Sequence, residues 1–317
     1  MLSPAEVGWD LTLYAQEWLE ERFRLTLKLA ADVKSKPTPR VVHDLRVACR
    51  RLREAIEFFR GVSEVPPLPD VDRASRRMAR AIGRLRETDV AIKKLARLDV
   101  PSSSVDTDRT RGKLLALLRE KRKAMAKKHQ DRIVKRATKL EAALEDHLRL
   151  RVRPRSTEAD PAQEAQLRAW VETRVAQRRS EVERLFETTK RRKGRFIANP
   201  ESDVLHGVRV AIKHWRYASE IARAVMPRVL YRPMAAKLRH LQDLGGNSQD
   251  YADLARVVEE EVGRAEKLKG ARFVVAAARA ARVQTALQFF EALRLLLPGG
   301  LELETGQPRL PLEGHRR

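Results

Sequence analysis

Two short stretches of the chain line up cations at helical spacing. His43, Arg46, Arg50 and Arg53 fall at i, i+3, i+7 and i+10, and His206, Arg209, Lys213 and Arg216 repeat that spacing. On a helix each set forms one stripe about 15 Å long. A third row, Arg73, Arg76, Arg80 and Arg84, has the same character, and Arg239 stands opposite Arg76 in the second part of the chain, with Asp243 opposite Arg80. Such rows bind polyanions: arginine offers fixed forks of N–H donors, lysine a point charge, and histidine a donor to a phosphate oxygen.

A run of charge is most often a solvated helix face. Two features argue against that reading here. The stripes of residues 43–53 and 206–216 carry no acid among their own positions, so i, i+4 pairing does not account for them, and like charges in line cost stability unless an anion compensates. Each stripe also runs beside an apolar one, Val42, Leu45, Cys49, Leu52, Ile56 and Phe59 in the first case and Leu205, Val208, Ile212 and Trp215 in the second. The cations therefore border the core and do not lie on the far side of the helix. The run Lys190–Lys193 suits a helix C-terminus, and Lys121, Arg122, Lys123, Lys127 and Lys128 read as a solvated face or an outer part of the anion site. Cys49 reads as a core residue.

The two stretches are copies of one another. VHDLRVACRRLREAI at 42–56 and LHGVRVAIKHWRYAS at 205–219 place His43 and His206 163 residues apart, and the same offset carries Arg76 onto Arg239, Gly83 onto Gly246 and Glu87 onto Asp250. One offset serving separate motifs is the mark of a tandem duplication. The expected organisation is a first four-helix repeat at 1–151, a linker at 152–160, a second four-helix repeat at 161–298 and a loose tail at 299–317.

The elements that position these stripes are helical throughout; alternating strand patterns are hard to find. Helix starts are expected at the capping box Ser3-Pro4-Ala5-Glu6, at Thr38-Pro39 and at Asp160-Pro161 with Gln163. The second helix is expected to run to about Phe59 before Gly61, the third from Asp70 to Ile82, with a break at Gly83 and a restart near Thr88. A loop at 99–108 precedes a long basic helix from Arg109 to about Arg149, and a helix from Pro161 is expected to reach Arg192. Beyond it, helices are expected at 201–225, from after Pro233 to Leu244, from Ser248 after an interruption at Gly245-Gly246, and at 271–297.

Composition sets the class of partner. The 317 residues carry a formal net charge of +23, with 5% aromatic residues and one cysteine. The charge calls for a polyanionic partner. A single cysteine excludes an internal disulfide framework and a cysteine-based zinc site. The opening MLSPAEVGWD has no signal-peptide pattern and no apolar run is long enough to span a membrane, so a cytoplasmic protein is expected.

The motifs resemble those of the CHAD family, the conserved histidine α-helical domain. His43-Asp44-Leu45-Arg46-Val47-Ala48 with Arg50-Arg51-Leu52-Arg53 is similar to the family's first histidine helix, and Leu205-His206-Gly207-Val208-Arg209-Val210-Ala211-Ile212-Lys213 with Trp215-Arg216-Tyr217 to its second. Gly83-Arg84-Leu85-Arg86-Glu87-Thr88-Asp89-Val90 resembles the segment that follows, and Leu241-Gln242-Asp243 with Gly246 and Asp250 its counterpart, with Gln249 where asparagine is common. The resemblance implies an all-α fold of two four-helix bundles related by a pseudo-two-fold axis around a basic groove or channel. It also implies binding of inorganic polyphosphate and a place at polyphosphate granules. The expected polyphosphate-binding residues are His43, Arg46, Arg50, Arg53, Arg76, Arg80, His206, Arg209, Lys213, Arg216 and Arg239, with no catalytic residue, metal or cofactor. Granule-associated proteins are further candidate partners.

Two other functions compete. A polyphosphate phosphohydrolase or kinase would use His43 or His206 as phosphoryl acceptor. Phosphoryl transfer calls for a metal held by carboxylates or a nucleophile with a positioned base. Asp44 has Gly207 as its counterpart, and the chain has no Gly-x-x-x-x-Gly-Lys loop. A nucleic-acid binder fits the charge, but the motif aromatics Trp215 and Tyr217 are expected in the core and not on a stacking platform. Non-specific nucleic-acid binding is expected as an incidental property.

Overall fold

The computed structural model describes residues 10–62, 65–100, 105–148, 160–190, 203–226, 228–262 and 270–297. Among these every regular element is a helix: α1 (Leu11–Ser35), α2 (Pro39–Phe58), α3 (Pro69–Ala81), α4 (Gly83–Arg97), α5 (Val105–Leu148), α6 (Pro161–Lys190), α7 (Asp203–Ala222), α8 (Arg228–Val262) and α9 (Ala271–Leu296). The fold is all-α.

Local chemistry sets the starts. Thr38 accepts a hydrogen bond from Val41 N at 3.2 Å and Pro39 occupies the first turn of α2, as the sequence predicts. Asp160 Oδ1 accepts from Ala162 N at 2.9 Å to open α6. α1 is capped by Asp10, whose carboxylate accepts from Leu13 N at 2.6 Å; the capping box at Ser3 lies outside the described residues, as do residues 191–200 and the tail beyond Leu297. Gly61, at φ 91°, supplies the left-handed residue that ends the α2 segment.

Four expectations are corrected. The loop expected to reach residue 108 does not, because α5 has already begun at Val105. The restart near Thr88 is wrong: α4 begins at Gly83, and Thr88 sits inside it with its hydroxyl donating to Arg84 O at 3.0 Å. The stretch leading to Pro233 is not a loop, because α8 starts at Arg228 and contains Pro233. Gly245-Gly246 does not interrupt the chain either, since α8 runs unbroken through both. Each interior glycine costs about 1 kcal/mol. α8 offsets that by burying both ends of itself, Leu238 and Leu241 in one core and Leu254, Val257 and Val258 in another.

With α3 and α4 taken as one interrupted helix, the order α1, α2, α3/α4, α5 matches α6, α7, α8, α9. Across the molecule α1 packs on α6, α2 on α7, α4 on α8 and α5 on α9. Each of these contacts joins helices at matching places in the chain order, which is compatible with a two-fold relation between the halves. The larger core draws on both halves, from Leu45, Leu52 and Phe58 to Val208, Ile212 and Phe289. A smaller core joins Leu95 of α4 and Leu114 and Leu118 of α5 to the second half of α8 and the first half of α9. The apolar stripes expected on α2 and α7 are buried, with Ile56 packed against their edge.

Candidate polyanion site

Because α2 and α7 pack against each other with their apolar stripes inward, the two cationic stripes beside those stripes converge. The convergence is seen in mutual electrostatics. Lys213 is pulled down to about 7, first by burial and then by Arg209, Arg50 and Arg46. Burial and then Arg50 lower Arg209, and burial and then Arg50 lower Arg46. Arg50 and Lys213 each therefore lie within electrostatic reach of both Arg46 and Arg209, while Asp250 acts in the opposite direction on Arg209 and Lys213, Asp253 on Arg209 and Glu87 on Arg46. Among the described residues the side chains of Arg50 and Lys213 have no hydrogen bond or ion pair.

Histidines flank this cluster. His43 stands at the surface of α2, held below its usual range by partial desolvation and then by Arg86, with Arg50 and Lys93 adding to the effect against the opposing pull of Asp44. His206 is exposed on α7, its Nδ1 3.4 Å from an Arg209 guanidinium nitrogen. The carboxylate beside His43, Asp44, lies 3.7 Å from Arg40.

The two motif arginines are seated differently. Arg46 donates to Ala79 O at 2.9 Å, and a methyl group on Gly83 would lie 3.7 Å from its guanidinium. Ala79 sits in the last turn of α3, where carbonyls have no intrahelical donor. In the continuous α8 no such carbonyl is freed. There the stem of Arg209 lies against Gly245, where a methyl group would come within 3.1 Å of Arg209 Cγ and of Phe289 Cε2. The close approach thus falls one residue before Gly246, the position matched to Gly83 by the 163-residue offset; nothing lies within 4 Å of a methyl group at Gly246.

The remaining sequence-derived residues stand apart from the central four. Arg53 and Arg76 bind the two oxygens of Asp72, at 2.9 and 2.8 Å. Arg216 donates to Gln242 Oε1 at 2.5 Å, pairs with Glu220 and lies over the Tyr217 ring. Arg80 and Arg239 are exposed, and their side chains have no hydrogen bond or ion pair among the described residues. Trp215 and Tyr217 are buried. Cys49 is fully buried, and burial pushes its thiol up to about 12.

α4 contributes residues absent from the sequence-derived set. Arg86 and Lys93 face the cluster closely enough to act on His43. Lys94 donates to Asn247 Oδ1 at 2.7 Å and lies over the Tyr251 ring, joining α4 to α8. Asp250 is raised by burial, against the opposing pull of Lys94, Arg86 and Arg209. The recurrence of Arg86 and Lys93 at i, i+7 was the available signal. Among the described residues no group of three His, Cys, Asp or Glu side chains is placed to hold a metal ion, and no helix is long and apolar enough to cross a membrane.

The fold is similar to solved structures. The CHAD domain from the plant Ricinus communis superposes with a TM-score of 0.67 at 18% identity, covering 92% of this chain and 94% of that one. PptA from Streptomyces chartreusis gives a TM-score of 0.59 at 12% identity, covering 90% of this chain and 99% of that one. No curated protein sequence matches the chain. A sequence model of the CHAD domain matches residues 17–259, which include both histidine helices and the α3/α4 and α8 segments that seat their arginines. The chain belongs to the CHAD domain family.

Proposed function

We propose that the protein binds inorganic polyphosphate without turning it over, through the cations of α2, α4 and α7, and that it serves at polyphosphate granules in the cytoplasm. The observation that carries this reading is the approach of Arg50 to Arg209 and Lys213 from the opposite half, with no acid bonded to Arg50 or Lys213 among the described residues. Like charges gathered beside a core raise the free energy of the empty protein, and a chain of phosphates relieves that repulsion. Polyphosphate has no bases to read, so charge and donor geometry suffice, and the burial of Trp215 and Tyr217 leaves them unsuited to stacking on nucleic-acid bases. The non-catalytic part of the reading is supported by the make-up of the cluster, in which the carboxylate next to His43 faces Arg40 and is exposed to solvent.

The test is a competition titration at fixed salt among long-chain polyphosphate, duplex DNA and single-stranded RNA, with wild type and R50E/K213E. Long polyphosphate should win, bind more tightly than triphosphate through multivalency, and weaken steeply with added salt. The double variant should lose at least tenfold in affinity. Unchanged affinity in R50E/K213E, or preference for either nucleic acid, would overturn the proposal. Chain shortening or phosphate release that disappears in H43A or H206A would overturn its non-catalytic part.

A further inference from the structure

α5 carries a row of cations that the central cluster does not use. Lys128, Arg132, Lys135 and Lys139 stand at i, i+4, i+7 and i+11 within one helix, so they form a single row about 16 Å long. All four are exposed, and their side chains have no hydrogen bond or ion pair among the described residues. The inward residues of the same stretch, Ile133, Ala137, Leu140 and Leu144, are buried in the larger core. At about 100° per residue the cations lie about 140° round the helix from those four, on its outer face.

Earlier cations of α5 are answered by acids: Arg111 by Asp108 at 2.9 Å, Arg122 by Asp89 at 3.0 Å, Lys123 by Glu120 at 2.8 Å, and Lys121 by Glu261. The row has no such partner. Even Asp131, exposed one position before Arg132, forms no ion pair among the described residues. Four like charges on successive turns repel one another while the row is empty, and a bound anion relieves that repulsion. The row is also separate from the central cluster. The cations that act on His43, Arg46, Arg209 and Lys213 are Arg46, Arg50, Arg86, Lys93 and Arg209, of α2, α4 and α7, whereas α5 packs on α1, α3, α4 and α9.

We infer that Lys128, Arg132, Lys135 and Lys139 form a second polyphosphate site on the outer face of α5, so that one protein engages two polyphosphate segments at once and bridges chains. The inference rests on the polyphosphate reading above and adds a second point of attachment to it. A phosphate chain is charged at every repeat and lies along all four cations together, each contact adding to a multivalent total. Between Lys128 and Lys139 the other exposed residues are Asp131 and Thr138. They offer no ring for a base to stack on and no apolar side chain for a membrane surface, so the row suits a bare phosphate chain.

The experiment counts short polyphosphate chains bound per protein and follows light scattering with long chains, in wild type, R50E/K213E, K128Q/R132Q/K135Q/K139Q and a control, K28Q/K113Q/R232Q/K237Q. The control removes the same charge from exposed cations scattered over α1, α5 and α8, whose side chains also lack partners among the described residues. Wild type should bind two short chains and scatter light with long ones. The α5 variant should keep one chain within about twofold of the tighter affinity, lose the other and scatter little, and its salt dependence with long chains should be shallower by roughly 3 in the log–log slope. R50E/K213E should keep the α5 chain alone. The control should behave as wild type. Two chains still bound by the α5 variant, an equal loss in the control, or a loss of duplex DNA binding alone would refute the second site and leave the central one standing. Loss of all binding in the α5 variant with none in R50E/K213E would refute the central reading and the two-site scheme together. Helical signal with melting temperature verifies that each variant is folded.

Discussion

The guanidinium of Arg46 donates to the carbonyl oxygen of Ala79, 33 residues further along the chain, at 2.9 Å. The bond places a cation at the C-terminal end of α3, where the helix dipole favours it, and supplies a donor that the break at Ile82 leaves wanting. Arg46 is thus a structural clamp as well as a candidate ligand. Arg209, its matched residue, holds no freed carbonyl.

Replacing Arg46 with alanine should therefore lower stability by about 1–2 kcal/mol, and the loss should appear in urea melts of the ligand-free protein. Arg50→Ala should lose nothing, and relief of repulsion should raise its melting temperature slightly. Equal destabilisation by the two changes would show that the Ala79 contact contributes nothing.

The two adjacent glycines of α8 should behave differently. Gly246→Ala meets nothing within 4 Å and should gain up to about 1 kcal/mol of helix propensity. Gly245→Ala forces the Arg209 stem and the Phe289 ring to give way from 3.1 Å, so it should gain less or lose, and should also weaken polyphosphate binding by displacing Arg209. Indistinguishable melting curves and affinities would contradict this.

Ligand binding should take up protons near neutral pH. Lys213 titrates at about 7 in the empty protein, lowered by burial and by Arg209, Arg50 and Arg46. A bound polyanion favours its charged form and raises that value, so affinity should fall as pH rises from about 7 towards the bound value. His43, also lowered, adds to proton uptake at its own lower pH. Calorimetric titration in buffers of different ionisation enthalpy should reveal the uptake near pH 7, and Lys213→Arg should diminish it.

Stability of the empty protein should dip near pH 7 for two reasons of opposite sign. Glu54 is raised by burial to about 7 against its ordinary 4.5, despite Arg178 at 3.0 Å. Between those values the folded state holds a proton that the unfolded state has lost, so stability falls as pH rises through that window, by an upper bound of roughly 3 kcal/mol. Lys213 is lowered, so above about 7 the unfolded state holds the extra proton and stability recovers as pH rises. Glu54→Gln should flatten the acid limb and Lys213→Met the alkaline one in thermal melts across pH 5–9.

What the sequence displayed and what it hid divide along physical lines. Thr38-Pro39, the buried stripes of α2 and α7 and the burial of Cys49 are set by neighbours a few residues away, and the periodicity displays them. Gly83 and Gly246 look alike in sequence, yet one starts a helix and the other lies within one, because α8 is gripped at both ends by separate cores. Whether a stripe residue is open to a ligand depends on which acid another helix brings to it. Asp72 takes Arg53, Glu220 takes Arg216, and nothing among the described residues takes Arg50. Lys213 owes its unusual titration partly to Arg46 and Arg50 of the other half, a relation that no local pattern encodes.

The pairing of each helix with its counterpart also governs the order of folding. The helices that meet across the molecule hold residues such as His43 and His206, 163 positions apart, so the part of the larger core that joins the two halves closes only through long loops. During synthesis α1 to α5 leave the ribosome with the apolar flank meant for α6 and α7 still open. That interval is the chain's most vulnerable one, since an exposed flank built for a near-copy of itself will also accept the same flank of another nascent chain. Exchange of halves between neighbouring molecules should therefore be the misassembly seen on refolding at high concentration, and polyanion added during refolding, by screening the crowded cations of α2 and α7, should favour closure within one chain.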